Sequence, residues 1–125
     1  MSVSSFAAGD SVSSVLGFAL DGLALRQQTI ADNLANIDTP DYRATNVDFE
    51  SALRAAVAAG DSAPVLLSGT APSVLPTDTP VGPNGNSVDL RKETLAAVQS
   101  QFQYQLVARA VTDRFELVRT AAGQF

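Results

Sequence analysis

Four carboxylates, Asp38, Asp41, Asp48 and Glu50, crowd one short stretch of the chain. Acids this close in sequence could hold a hard cation or work as a general acid–base pair. The spacing does not make a calcium loop. Counting from Asp38, the sixth position is Arg43 where a sharp turn needs Gly, and the twelfth is Phe49 where the loop needs Glu. Gly82-Pro-Asn-Gly-Asn-Ser lacks the lysine of a phosphate-binding loop. The single lysine, Lys92, has no Ser-x-x-Lys motif before it. Histidine and cysteine are absent, so imidazole catalysis, thiolate chemistry and Cys/His zinc sites are excluded. The charges read best as helix caps and solvated faces, including a Glu50–Arg54 pair at i, i+4. The sequence calls for no catalytic residue, metal ligand or cofactor.

The elements around these residues say more. At 125 residues with 46% hydrophobic content, the chain is one domain or one assembly module. Net charge is −5, which argues against a nucleic-acid partner. Residues 1–88 carry nine acids and three bases, whereas 89–125 carry four and five, so the C-terminal segment is nearly neutral. That suits a surface meant for burial. No apolar run is long enough for a transmembrane helix. The first ten residues lack the basic and apolar regions of a cleaved secretion signal, so the sequence by itself reads as cytoplasmic.

The organisation expected is a polar lead over 1–10, a helix over 11–38, a turn and short helix over 39–59, an arm over 60–88 and a long helix over 89–125. In the first helix Leu16, Leu20, Leu23, Gln27, Ile30, Leu34 and Ile37 are spaced alternately by four and three. This is a coiled-coil-like seam with one polar interruption. Arg26 and Gln27 read equally as specificity devices or as solvent-facing residues. Residues 46–59 read as a helix capped by Asp48 and ended by Gly60, with Phe49, Leu53 and Val57 on one face. The 60–88 segment holds five of the six prolines and four of the eight glycines. It predicts a loosely structured surface arm in which 65–67 and 73–75 form short extended pieces or a weak hairpin.

From Asp89, as N-cap, to about Ala122 there is no proline and no glycine. On a helical wheel Leu95, Val98, Phe102, Leu106, Ala110 and Leu117 make one apolar stripe. Tyr104, Val107, Val111, Phe115, Val118 and Ala122 make a second, nearly opposite. A helix with two apolar faces must be buried twice. The N-terminal helix can cover one stripe. The other is covered by the short helix and the 65–75 segment, giving a small all-α globule, or by neighbouring molecules.

Ala31-Asp-Asn-Leu-Ala-Asn-Ile-Asp-Thr-Pro-Asp-Tyr42 ends the first helix. Asn36 tolerates the left-handed conformation of a helix end, and Pro40 disfavours helix at Thr39. This stretch resembles the Ala-x-Asn-Ile-Ala-Asn-x-x-Thr-Pro-Gly-Tyr motif of the flagellar axial proteins, which build rod and hook. Asn33, Asn36, Thr39, Pro40 and Tyr42 carry the match. Asp41 stands where the family usually has Gly, which favours a type I over a type II turn. Further matches are Asn46-Val-Asp-Phe49, Gly85-Asn-Ser-Val-Asp-Leu90 and Gln103-Tyr-Gln105.

The resemblance implies an all-α structural subunit whose terminal helices pair as a coiled-coil-like inner domain. Such subunits pack into a hollow, torque-transmitting tube around an export channel. It implies export without a cleaved signal, through the flagellar type III apparatus, to the basal body in the periplasmic space. Its implied partners are further copies of itself, the rod proteins FlgC and FlgF, the junction protein FliE, and MS-ring or export-gate components, with no direct membrane insertion. The interface is then expected at Leu16, Leu20, Leu23, Ile30, Leu34, Leu95, Phe102, Leu106, Val107, Val111, Phe115 and Val118. Two other classes stay open: a different type III-secreted helical adaptor, and a small carboxylate-dependent enzyme, which no residue pattern favours.

Overall fold

The computed structural model describes residues 3 to 123, with side chains from residue 11 on. The elements in chain order are α1 (Val3–Ala35), β1 (Thr45–Asp48), α2 (Glu50–Ala59), α3 (Ala63–Ser68), β2 (Ser73–Pro76) and α4 (Leu90–Ala122). A single 3-10 turn, Gly60–Ser62, joins α2 to α3.

Two helices of equal length frame the subunit. No proline interrupts either one, and α4 opens on Asp89, whose carboxylate accepts from the backbone N–H groups of Arg91 and Lys92. They run antiparallel. Asn33 meets Glu93 at one end, and Arg114 donates to Ser13 at the other. The helix expected from residue 11 in fact reaches back to Val3, replacing most of the lead expected over 1–10.

The short elements lie against α1, away from α4. β1 and β2 form an antiparallel ribbon in the register Thr45↔Pro76, Asn46↔Leu75, Val47↔Val74 and Asp48↔Ser73. The core is built on α1 from Phe18, Ala19 and Leu23, closed by Val47, Phe49, Ala56, Ala63 and Leu67. Gly22 is essential to this closure. A Cβ there would collide with the Phe49 ring, so only a bare backbone lets the ring lie on the helix. The Arg26 guanidinium lies over the same ring, 4.6 Å from its centroid. Its guanidinium also donates to the Val47 carbonyl at 2.6 Å and to Glu50 at 2.5 Å. Arg26 is thus an internal tie, not a solvent-facing residue.

Several expectations are corrected. The all-α reading lacks the ribbon, because residues 45–48 pair in a strand where a helix was expected from 46. α2 starts at Glu50 with Phe49 at the N-cap position, and Asp48, two residues before the helix, accepts from the Ser51 N–H and hydroxyl. The late start shifts the inward face: Ala56 is fully buried, whereas Val57 is exposed. Residues 65–67 are helical instead of extended, since Pro64 sits in the first turn of α3, where its fixed φ and missing N–H suit a helix start. The 60–88 segment is not a loose arm throughout, because Ala63 and Leu67 insert into the core. Residues 73–75 are extended as expected. The alternative in which the short elements cover the second face of α4 also fails, because they are spent on α1.

Candidate functional site

The two sequence motifs turn out to be halves of one joint. Asn33, on the last turn of α1, is fully buried. Its amide nitrogen donates to the Thr45 carbonyl at 2.8 Å and to Glu93 Oε1 at 3.1 Å. Its oxygen accepts from the Thr45 N–H and from the Tyr42 hydroxyl, each at 3.2 Å. All four bonding positions of an asparagine side chain are used. One side chain therefore ties α1, the Thr-Pro turn, β1 and the start of α4. Burial pushes the Glu93 carboxyl above its usual range, against the lowering effects of the Asn33 hydrogen bond and nearby Lys92. Burial, with Asp32 and Glu93 nearby, likewise raises the Tyr42 phenol.

The second motif completes the joint. The Asn86 amide donates to the carbonyls of Asn36 and Thr39, both at 2.8 Å, and its oxygen accepts from Val88 N–H at 2.7 Å. Ser87 receives the Ala44 N–H on its hydroxyl at 2.8 Å, while its own N–H reaches the Tyr42 carbonyl. Asn36 folds its side chain back onto the Asp32 carbonyl and accepts from Thr39. The turn differs from expectation. Tyr42 N–H closes onto the Thr39 carbonyl, and Asp41 has φ +62°. With Pro40 before it, this is a type II turn. Tertiary contact overrides the local preference: the Asp41 N–H is held by the Asn84 carbonyl at 3.0 Å, and Asp41 packs against Gly85. Gly85 itself has φ +81°, and a Cβ there would collide with the Asp41 carboxylate.

The joint sets how α4 lies on α1, and so which of its faces is left over. The face toward α1 carries Glu93, Ala97, Ser100, Tyr104, Val107 and Val111. Its first half is small or polar, and the buried Ser100 hydroxyl finds no hydrogen-bond partner among the described residues. The outward face carries the bulk. Leu95, Val98, Phe102, Leu106 and Leu117 are all exposed, Phe102 at 62%. Over the first half of α4 the larger apolar side chains therefore point away from the subunit.

The expected interface residues fall into three groups. Leu23 and Ile30 are buried within the subunit. Leu16, Leu20, Leu34, Val107 and Val111 are half-buried along the α1–α4 side. Leu95, Phe102, Leu106, Phe115 and Val118 are exposed. Toward the C-terminal end of α4 the helices leave an open apolar groove of about 280 Å³, between Leu16, Gly17 and Leu20 on one side and Val111, Phe115 and Val118 on the other. The individual roles of Asn86, Ser87 and Gly22 were missed by sequence reasoning. An asparagine directly after a glycine, and a glycine in the middle of a helix, were the available signals.

Nothing in the acidic stretch gathers a metal site. Asp48 is spent on Ser51 and Glu50 on Arg26, and among the described residues no three carboxylates converge. The described residues contain no helix long and apolar enough to cross a membrane.

Comparison with known proteins converges on the same region. The family model described as flagella basal body rod protein matches residues 15–43, which include Asn33 and Tyr42. The chain is 34% identical to flagellar basal body rod protein FlgB of Borreliella burgdorferi, over 79% of its own length and 86% of the relative's. It is 34% identical to FlgB of Bacillus subtilis, over 82% and 85%. For FlgB of Escherichia coli the identity is 30%, over 78% and 83%.

Proposed function

We infer how this subunit works from the premise that the chain belongs to the FlgB family of flagellar basal body rod proteins: it is a structural subunit of the bacterial flagellar rod, and not an enzyme. Its place is the proximal rod, in the periplasmic space. The α1–α4 pair acts there as the coiled-coil-like inner domain of a hollow tube around the export channel. The outer stripe of α4 is closed by neighbouring subunits, and torque passes through these helix contacts. Its neighbours are copies of itself, FlgC and FlgF, with FliE and the MS-ring or export-gate components at the rod base.

The observation that carries this reading is the inverted amphipathicity of α4. A subunit made to stay alone would turn Leu95, Phe102 and Leu106 inward and Ser100 outward. Here the exposure is reversed, and contiguous exposed apolar surface of this kind marks an interaction face. A reconstruction of the assembled basal body at side-chain resolution tests it. The expected result is Phe102 covered by another protein molecule, with the α1–α4 pair in the tube wall. Phe102 facing open solvent in the assembled rod would overturn the reading.

A further inference from the structure

The partner face for the outer stripe of α4 can be read from this same chain. The exposed side of α1 is built of small residues: Gly17, Ala24, Ala31 and Ala35 lie along one strip with Gln28. Asp21 and Asp32 lie along one edge of that strip, and Asp38 lies just beyond its end, all exposed. The only base of α1, Arg26, is turned inward to Glu50. This surface is therefore shallow and acidic. The outer face of α4 is its complement. Leu95, Val98, Phe102 and Leu106 form a raised ridge between two exposed arginines, Arg91 and Arg109. Arg91 and Arg109 lie about 27 Å apart along α4, and Asp21 and Asp32 about 16.5 Å apart along α1, at 1.5 Å per residue, a difference that two long arginine side chains leaning inward can span. Within the subunit, Asp21, Asp32, Arg91 and Arg109 form no ion pair among the described residues.

We propose that the Leu95–Leu106 ridge of one subunit seats on the Gly17–Ala35 strip of a second copy, with Arg91 and Arg109 facing the acids of that strip. Small residues let two helices approach closely, and bulky ones fill the space between. The charges fix the register and reject wrong neighbours more than they add affinity. Because the two faces differ, the contact is head-to-tail. Repeated, it gives an open helical series instead of a closed dimer, which is the geometry a rod requires. The proposal rests on the reading of the outer α4 stripe as an assembly face.

Charge exchange tests it in cells whose own copy of the gene is deleted. Arg91→Asp with Arg109→Asp should abolish motility, and so should Asp21→Arg with Asp32→Arg. The chain carrying all four changes should regain it, because the signs are exchanged but still opposed. Motility that survives either double variant would overturn the proposal, as would a fourfold variant no better than the doubles. Circular dichroism of each purified variant should match the parent, since all four side chains are exposed. A loss of helix would place these charges inside the subunit and also overturn it. Phe102→Asp in the same cells keeps the two readings apart. If Phe102→Asp stops motility while the charge variants do not, the ridge still meets a neighbour, but not this strip. If Phe102→Asp is tolerated, the assembly face itself is wrong.

Discussion

Asn33 and Glu93 meet through one hydrogen bond, amide nitrogen to Oε1 at 3.1 Å, with both residues buried. This contact joins the last turn of α1 to the first turn of α4 across 60 residues of sequence.

Asn33→Ala should therefore damage the subunit out of proportion to its size. It leaves the Thr45 N–H, the Tyr42 hydroxyl and Glu93 without their buried partner. A fully buried unsatisfied group costs about 1–3 kcal/mol; Glu93 is that deeply buried, whereas Thr45 and Tyr42 are half-buried and can turn to water, so a total loss of about 2–4 kcal/mol is expected from urea unfolding of the purified protein. A loss within about 0.5 kcal/mol, the size of an ordinary surface change, would show that the joint is not what holds the helix ends.

The raised Glu93 pKa fixes the sign of a pH effect. Protonation is easier in the folded state than in the unfolded chain, so this group's stabilising contribution is full below the usual value of 4.5. It is lost as pH rises through the folded-state pKa. Glu93→Gln removes the dependence while keeping an acceptor for Asn33. The variant should gain stability over the parent as pH rises from about 4.5 toward 7. Glu50 acts oppositely: burial raises its pKa, but the Arg26 hydrogen bond and charge outweigh this and leave it lowered. Arg26 therefore stabilises above the usual carboxylate range and stops doing so as acid is added. Parallel melting curves for Glu93→Gln and Glu50→Gln should diverge with pH in opposite directions.

The Thr-Pro turn makes a separate prediction. Asp41 occupies the left-handed region, which costs a non-glycine residue about 1–2 kcal/mol. Asp41→Gly should be neutral or stabilising by up to about 1 kcal/mol in thermal melts. Gly85→Ala should be harmful, because its Cβ meets the Asp41 carboxylate at a positive φ. Equal melting temperatures for Gly85→Ala and the parent would remove the close approach from the account.

Leu67 and Val65 separate the packed part of the 60–88 segment from its surface. Leu67 lies in the core, and Val65 is exposed on the same short helix. Leu67→Asp buries an unpaired charge and should lower stability by several kcal/mol. Val65→Asp should stay within about 0.5 kcal/mol. Shortening the chain through 62–76 should therefore be poorly tolerated, because it takes away both Leu67 and the ribbon strand.

Much of this architecture was legible in advance. The alternating four-and-three spacing from Leu16 to Ile37, and the unbroken run after Asp89, gave both long helices. The two stripes of α4 were visible on the wheel. Which stripe turns inward was not. Bulk and apolarity favour Leu95 and Phe102, yet the inward choice falls on Ala97, Ser100 and Tyr104, because the Asn33–Glu93 contact fixes the rotation of α4. The ribbon was hidden for a related reason. Four-residue strands are too short for periodicity to separate from a helix start, and β1 gains its order from Asn33 and from pairing with β2. The Asp41 conformation was misjudged because its cause, the Asn84–Gly85 backbone, lies more than forty residues away.

α4 presents its Leu95–Leu106 apolar face outward for assembly. The most direct measurement compares Phe102→Asp with Val111→Asp, each both as purified protein and in cells lacking the native gene. Val111 is half-buried on the α1 side, so its change should lower the subunit's own melting temperature along with motility. Phe102→Asp should leave the purified subunit's circular dichroism and melting temperature near the parent's while abolishing rod assembly and motility. Fully motile Phe102→Asp cells with complete basal bodies would contradict the account.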